Sequence, residues 1–460
     1  MADSIVDVLV IGSGQGGGPL AGACARAGRR TALVERRFIG GTCINDGCTP
    51  TKTMIASARV AYLARRAADF GVRCGDVSLD LPKVLARKRA IVSDFRQGSE
   101  HALTTAGVDV MFGDARFIGE RRVEVRASDG TKRTLRADTI IINTGARPSR
   151  PPIPGLDRVS ALDSTSIMEL ETLPGHLLVL GGGYVGVEFA QMFRRFGSRV
   201  TIVNQDAQLL THEDTDIAQA AADILRDDGI EIMLGARATA AEPMPNGLRL
   251  DVAAGDGAHQ VDATHLLVAT GRVPNTNTLE PGAAGIAVDP RGYITVDDRL
   301  ATTAPGVYAV GDVKGGPAFT HISYDDFRVL RANLLHGGSA SIAGRIVPYT
   351  VYMDPQLGGI GLTERQARAQ HRNIAVATMP MSHVARAVEV AEPRGLMKAI
   401  VDRDTHHILG GAVLGLEGGE VMSMLQLAMM GNLPYTALRD GVFAHPTIAE
   451  SLNNLFVGLT

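Results

Sequence analysis

Ile5-Val6-Asp7-Val8-Leu9-Val10-Ile11-Gly12-Ser13-Gly14-Gln15-Gly16-Gly17 is a buried-strand pattern that runs directly into a glycine turn. The spacing Gly12-x-Gly14-x-x-Gly17, after a strand and before a helix, lets backbone approach a pyrophosphate at the positive helix N-terminus. The helical pattern covers 17–28 and a second strand runs from Thr31 to Glu35, which completes a βαβ unit. Glu35 stands 23 residues after Gly12 at the end of that strand, where a carboxylate would bind ribose hydroxyls.

The same grammar returns at 177–204. Leu177-Leu178-Val179-Leu180 is followed by Gly181-x-Gly183-x-x-Gly186, a helical segment over 184–196 and the strand Val200-Thr201-Ile202-Val203. Two further segments echo each other, Ile140-Ile141-Ile142-Asn143-Thr144-Gly145 and Leu266-Leu267-Val268-Ala269-Thr270-Gly271, each a short apolar strand ending in Thr-Gly. The pattern reads as two copies of a nucleotide-binding fold, the second inserted in the first. Pro148, Pro151, Pro152 and Pro154 mark the crossing. The expected class is α/β: two Rossmann-like dinucleotide-binding domains, one discontinuous over 1–150 and 275–345 and one over 151–274, plus an α+β domain over 346–460. That last stretch alternates strands and helices (Leu396–Val401, Leu409–Leu414, 419–430) and has no glycine fingerprint.

Composition narrows the class. The 460 residues carry 46 Lys+Arg against 49 Asp+Glu, so no basic field points to a nucleic-acid partner. With 45% hydrophobic and 21% charged residues the chain has enough apolar content for full cores. A usual glycine share of about 7% would give about 32 glycines; there are 53, which implies many close backbone approaches. From Val8 to Ala25 no residue is charged, but Asp3 and Asp7 precede the run in place of a basic segment, and its glycines are too weakly apolar for a membrane. The expectation is a cytoplasmic protein without membrane partners.

All four cysteines, Cys24, Cys43, Cys48 and Cys74, lie in the first 74 residues, which excludes a disulfide framework for the whole chain. The sharpest feature is Gly40-Gly41-Thr42-Cys43-Ile44-Asn45-Asp46-Gly47-Cys48-Thr49-Pro50-Thr51-Lys52. Two cysteines five apart could be structural thiols, half a zinc site or a redox pair. Zinc needs about four ligands and no second Cys or His pair accompanies these, so no metal is expected. A glycine-rich segment entering a helix offers a positive end that lowers thiol pKa, which favours a redox-active dithiol. Asp46 between the cysteines would oppose a thiolate. In the second fingerprint, 23 residues from Gly181 is Asn204, where the first copy has Glu35. Loss of the carboxylate makes NADPH acceptable, although Gln205, Asp206 and Ala207 bring no arginine clamp and a neutral ribose ligand for NADH stays open.

The dithiol segment resembles that of class I pyridine-nucleotide disulfide oxidoreductases, and the resemblance covers essentially the whole chain in order. It implies FAD in the first fold, held by Gly12, Gly14, Gly17, Glu35, Thr42, Thr144, Gly145 and Asp312. It implies NAD(P)H in the second, at Gly181, Gly183, Tyr184, Gly186, Asn204 and Gly271, and a homodimer through the C-terminal domain. Val307-Tyr308-Ala309-Val310-Gly311-Asp312 looks like the second flavin motif. By the same resemblance Cys43 attacks substrate, Cys48 stacks on the flavin, Lys52 pairs with Glu188 and Tyr184 gates the nicotinamide pocket. His445-Pro446-Thr447-Ile448-Ala449-Glu450 supplies the acid–base pair His445 and Glu450 for the other subunit's dithiol.

Within the family the chain is similar to mercuric-reductase-like proteins (Gly47-Cys48-Thr49-Pro50-Thr51-Lys52) and to flavoprotein reductases of reactive-chlorine resistance (Phe319-Thr320-His321-Ile322-Ser323-Tyr324-Asp325-Asp326-Phe327-Arg328). It lacks the C-terminal cysteine pair that receives mercury, since it ends Phe456-Val457-Gly458-Leu459-Thr460. The expected activity is NAD(P)H-dependent reduction of an oxidised thiol species, a small disulfide or a thiophilic metal ion. The alternative is a dihydrolipoamide dehydrogenase subunit of a 2-oxo-acid dehydrogenase complex, against which Asn204 argues.

Overall fold

The computed structural model describes residues 4–255, 257–370 and 372–459. The chain divides into two compact units. Met1–Thr53, Pro82–Ser149 and Arg272–Arg345 form the first; Met54–Leu81, Arg150–Gly271 and Ile346–Thr460 form the second.

In the first unit Ser4–Ile11 sits inside a seven-stranded sheet. The order across it is Asp109–Phe112, Thr31–Glu35, Ser4–Ile11, Lys132–Ile142, Arg122–Arg126 and Asp114–Gly119, with Val307–Ala309 also paired to Lys132–Ile142. The strands flanking Ser4–Ile11 run parallel to it, and the Arg122–Arg126 and Asp114–Gly119 ribbon is antiparallel. A parallel strand is covered on both faces and so reads as a continuous apolar run. Accordingly Val8, Leu9, Val10 and Ile11 are all buried, and the two-residue period sorts them. Leu9 and Ile11 join Val34, Ile140, Ile142 and Phe117 on one face, whereas Val8 and Val10 join Leu33, Ile141, Leu20 and Leu330 on the other. Leu20 comes from the helix Gly17–Arg26 and Leu330 from Thr320–His336.

The turn after Ser4–Ile11 requires glycine. Gly12 has φ +99°, and a Cβ there would lie 2.3 Å from the carbonyl oxygen of Asn143. The chain therefore passes directly over the end of the neighbouring strand before entering its helix.

The second unit repeats this construction. A parallel sheet runs Glu231–Met233, Arg199–Val203, His176–Leu180, His265–Val268, Ala161–Leu162. All five residues of its middle strand are buried. Gly181 has φ +110° and would clash with the Ala269 carbonyl at 2.6 Å if it carried a Cβ. The helix Tyr184–Phe196 has the bounds read from sequence. A three-stranded antiparallel sheet (Arg237–Met244, Gly247–Ala254, Gly257–Ala263) follows within this fold. The C-terminal part is a five-stranded antiparallel sheet, ordered Tyr349–Val351, Gln356–Gly361, Ile408–Gly415, Leu396–Asp402, Ile374–Pro380. Leu425 from the helix Gly418–Met430 and Leu452 and Phe456 from Ser451–Val457 close a core on Met397 and Val413. The α/β class with an antiparallel C-terminal domain is thus as the sequence implies. Among the described residues no helix is long and apolar enough to cross a membrane.

One ionisable group is held against its ordinary behaviour. Glu213 is buried, and burial pushes its carboxyl from 4.5 up to about 7, against the opposing effect of the hydrogen bond donated by the Tyr349 hydroxyl.

Two predictions follow from these placements. Gly12→Ala introduces both a left-handed strain and a backbone collision, whereas Gly28, at φ +80°, has no atom within 4 Å of its would-be Cβ. Gly28→Ala is expected to cost about 1–2 kcal/mol in denaturant titrations and Gly12→Ala clearly more; equal losses would refute the close-approach argument. For Glu213 the folded pKa lies above the unfolded one, so its contribution is fully present at acid pH and fades as pH rises through about 7. Glu213→Gln should remove up to about 3 kcal/mol of pH-dependent stability change over that window. Superimposable stability–pH curves for the two proteins would contradict it.

Candidate functional site

The dithiol segment is shaped by two left-handed glycines, Gly40 at φ +102° and Gly41 at φ +64°. They turn the chain into a short helix, Gly41–Asn45, which carries Cys43 and Thr42. The Asn45 side-chain amide donates back to the carbonyls of Ile39 and Gly41, at 2.9 and 3.0 Å. The chain leaves the helix at Asp46, and Cys48 starts a second helix, Cys48–Arg65, with Lys52 one turn along. Both cysteines are free thiols, the reduced state of such a pair, and Cys43 hydrogen-bonds Cys48. The Cys48 sulfur lies 3.2 Å from the Thr320 hydroxyl.

The two sulfurs are electrostatically unequal. The hydrogen bond to Cys48, burial and the charge on Cys48 push the Cys43 thiol far up; Thr320 and Lys52 pull it down less strongly. Two thiols in one hydrogen bond cannot both lose their protons cheaply, and at Cys43 this opposes the lowering that a helix end brings. Asp46 is turned to the surface and ion-paired with Arg37, which offsets the charge that sequence reading set against the thiolate. Cys24 is buried and raised to about 11 by burial, and Cys74 is exposed.

The first glycine loop is braced from two sides. Ser13 donates its N–H and its hydroxyl to one Glu35 carboxylate oxygen, at 3.0 and 2.7 Å, and its hydroxyl accepts the Gly40 N–H at 3.0 Å. One buried serine thus joins the fingerprint, the acidic strand end and the entry to the dithiol. Asn143 accepts the Gly17 N–H and donates to the Val310 carbonyl, both at 2.9 Å. The next residue, Thr144, has a buried hydroxyl without a protein partner, and Gly145 follows at φ +67°. Asp312 lies in the turn Gly311–Lys314, 3.8 Å from Arg272; burial raises its carboxyl while Arg272 and Lys314 oppose the rise. The fully buried Asp326 fixes that turn: it accepts the Gly311 N–H at 2.8 Å and pairs with Lys314 and Arg345, at 3.4 and 2.7 Å.

In the second unit Gly183 has open space where a Cβ would be, Gly186 crosses tightly over Gly181, and Gly271 is left-handed and open. Tyr184 starts the helix with 38% of its surface exposed. Asn204 is buried and turned inward: its carbonyl accepts the Gly182 N–H at 3.0 Å and its amide donates to the carbonyls of Asp206 and Gln208. It braces its loop as Glu35 braces the first. The buried Glu188 accepts the Tyr352 N–H at 2.8 Å. His445 and Glu450 form a pair, Nδ1 to Oε2 at 2.8 Å, with the imidazole largely exposed.

Cys43, Cys48, Thr42, Lys52, Gly12, Gly14, Gly17, Glu35, Thr144, Gly145 and Asp312 therefore belong to the first unit. Gly181, Gly183, Tyr184, Gly186, Glu188, Asn204, Gly271, His445 and Glu450 belong to the second. Among the described residues no group of three His, Cys, Asp or Glu side chains could hold a metal. Sequence reading assigned no role to Ser13, Asn143, Thr320 or Arg37. Asn143 was detectable, since it is a polar residue where the second copy has Ala269; the other three act across the fold and leave no spacing to read.

Residues 6–326 match the pyridine nucleotide-disulphide oxidoreductase family and residues 347–456 match its dimerisation domain. The chain is 42% identical to the probable pyridine nucleotide-disulfide oxidoreductase RclA of Escherichia coli, over 97% of this chain and 98% of that one. It is 34% identical to a mercuric reductase of Streptomyces lividans, over 97% and 94%. The solved Cu(II) complex of the HOCl-induced flavoprotein disulfide reductase RclA from Escherichia coli superposes over all of both chains, with a TM-score of 0.91 and 40% identity.

Thr320→Val keeps the shape and removes the hydroxyl beside Cys48. A hydrogen bond to a charged group contributes about 1.5 kcal/mol or more, so the first thiol titration should rise by about one pH unit. Thiolate ultraviolet absorbance against pH reads this directly, and an unmoved titration would mean that the Thr320 hydroxyl does not stabilise a thiolate of the pair.

Proposed function

The chain belongs to the pyridine nucleotide-disulphide oxidoreductase family, and from that premise we propose an enzyme in which Cys43 and Cys48 reduce an oxidised thiol species, a small disulfide or a thiophilic metal ion. The family uses FAD and a pyridine nucleotide. The first glycine loop fits the flavin cofactor: a Cβ would fill the backbone approach at Gly12, and the buried Thr144 hydroxyl lacks a protein partner. Gly12, Gly14, Gly17, Glu35, Thr42, Thr144, Gly145 and Asp312 would hold it. Gly181, Gly183, Gly186, Asn204 and Gly271 would hold the nucleotide, with Tyr184 over the nicotinamide end. When bound, the flavin would supply the two-electron relay between the reduced nicotinamide and the sulfur pair.

The observation that carries the reading is geometric: two free thiols five residues apart stand at the junction of two helices, with the Thr320 hydroxyl 3.2 Å from the Cys48 sulfur and Lys52 one turn along. In this reading Cys48 is the sulfur that resolves the mixed disulfide. Cys43 keeps its proton until a base takes it, and His445, oriented through Nδ1 by Glu450, is the base this reading assigns. On a disulfide substrate, Cys43 sulfur attacks one sulfur and forms a mixed disulfide; the other sulfur leaves as a thiolate and takes the proton from His445. Cys48 thiolate then attacks Cys43, forms the Cys43–Cys48 disulfide and releases the second thiolate. The substrate gains two electrons and the pair loses two.

We assign the three-domain division of the sequence to these roles, with a homodimer formed through the C-terminal domain and Lys52 paired with Glu188. NADPH is the donor this reading favours: Asn204 is neutral, so no carboxylate repels a 2′-phosphate where the first copy has Glu35.

Anaerobic titration with NADPH and NADH, followed by a panel of oxidants against the reduced enzyme, tests the donor and the substrate class together. Cys43→Ser should lose disulfide turnover while retaining FAD. Undiminished disulfide reduction in that variant would sink the mechanism.

A further inference from the structure

At the far ends of the helices that begin at Cys48 and at Tyr184, the second unit contains a cleft of about 600 Å³. That volume lies in the range of small-molecule sites, about 300–1,000 Å³. Its wall is formed where the helix Cys48–Arg65 and the helix Tyr184–Phe196 both end, against the segment 391–394. Five arginines and three carboxylates line it, an excess of two positive charges.

The floor is a closed network. Arg195 is buried with its guanidinium engaged by Asp228 and Asp354 and stacked 3.8 Å over the Tyr62 ring. Arg394 forks onto Glu392 and also reaches Asp228, at 2.9 Å. Arg66 is held by the Tyr62 hydroxyl, the Ala391 carbonyl and Asp69. None of these three has a fork left for a ligand.

Arg65 and Arg194 differ. Each uses a single N–H position on a backbone carbonyl, Arg65 Nη1 on Arg195 and Arg194 Nε on Asp228. Neither has a carboxylate partner among the described residues, so the remaining N–H groups of both guanidiniums are available at the lining of the cleft. Each is anchored at one point, which lowers the entropy cost of fixing the rest. Asp227, the third lining carboxylate, also has no hydrogen-bond partner among the described residues and would accept a hydroxyl.

We propose that this cleft binds a small phosphate-bearing metabolite, its phosphate shared by the forks of Arg65 and Arg194. A carboxylate is planar and offers one edge to one fork, whereas a tetrahedral phosphate presents oxygens to two forks approaching from different directions. The cleft is much larger than a phosphate, so the remainder of it takes an organic body, with Asp227 as acceptor for its hydroxyls. Such a ligand would bridge the far ends of two helices whose near ends carry Cys48 and the second fingerprint.

Calorimetric titration of the FAD-loaded full-length protein with inorganic pyrophosphate tests this, with saturating NADP⁺ present to occupy the nucleotide fold. One site per chain is expected, with citrate at equal charge binding at least about tenfold more weakly. Arg65→Ala and Arg194→Ala should each weaken pyrophosphate by about tenfold or more, and Arg194→Lys, which keeps the charge and loses the fork, should resemble Arg194→Ala. Arg291→Ala, a surface change elsewhere, should leave binding intact. No binding to the unmodified protein, or undiminished binding by the Arg65→Ala/Arg194→Ala double variant, would overturn the site. Citrate equal to pyrophosphate, or full binding by Arg194→Lys, would overturn the phosphate assignment.

Discussion

The glycine loop after the first strand can lie across the end of Lys132–Ile142 only because Gly12 carries no side chain, its missing Cβ standing 2.3 Å from the Asn143 carbonyl oxygen. Much of the first unit hangs on that crossing. It brings Gly17 N–H onto the Asn143 side chain, which in turn holds the Val310 carbonyl and so the turn bearing Asp312. On the other side Ser13 carries the loop to Glu35 and to Gly40, where the dithiol segment begins. Backbone sterics at one residue thus set the positions of Glu35, Asp312 and the sulfur pair. The second unit uses the same device at Gly181 over Ala269, without the asparagine.

The dithiol illustrates how neighbours assign roles to chemically identical groups. Burial and the hydrogen bond to Cys48 push the Cys43 thiol up, although the two free thiols are chemically identical. The surface pair of Arg37 and Asp46 keeps a carboxylate only two residues from Cys48 from weighing on that balance.

Legibility followed locality. The strands, both fingerprints and the helix Tyr184–Phe196 were readable because burial on both faces and close backbone crossings impose residue types at fixed spacings. The His445 and Glu450 pairing was likewise encoded in five residues of spacing. What went unseen depends on partners that no motif spacing announces: Arg37 pairs with Asp46 nine positions away, and Thr320 approaches Cys48 across 272 residues. Asn204 could be placed by counting, yet only its hydrogen bonds reveal that it faces its own loop.

The first unit is also scattered along the chain in a way that bears on synthesis. Its opening fingerprint is made within the first seventeen residues, but the strand Val307–Ala309 and the carbonyl of Val310 that complete the clamp come some three hundred residues later. A ribosome exposes the whole of the inserted nucleotide fold before that strand emerges. The parallel sheet around His176–Leu180 has all its strands by Val268 and can close while translation continues, whereas the clamp on the first glycine loop cannot. Closure of that clamp is therefore a late event in the life of the nascent chain, and a polypeptide truncated before Val307 would display the fingerprint without the clamp.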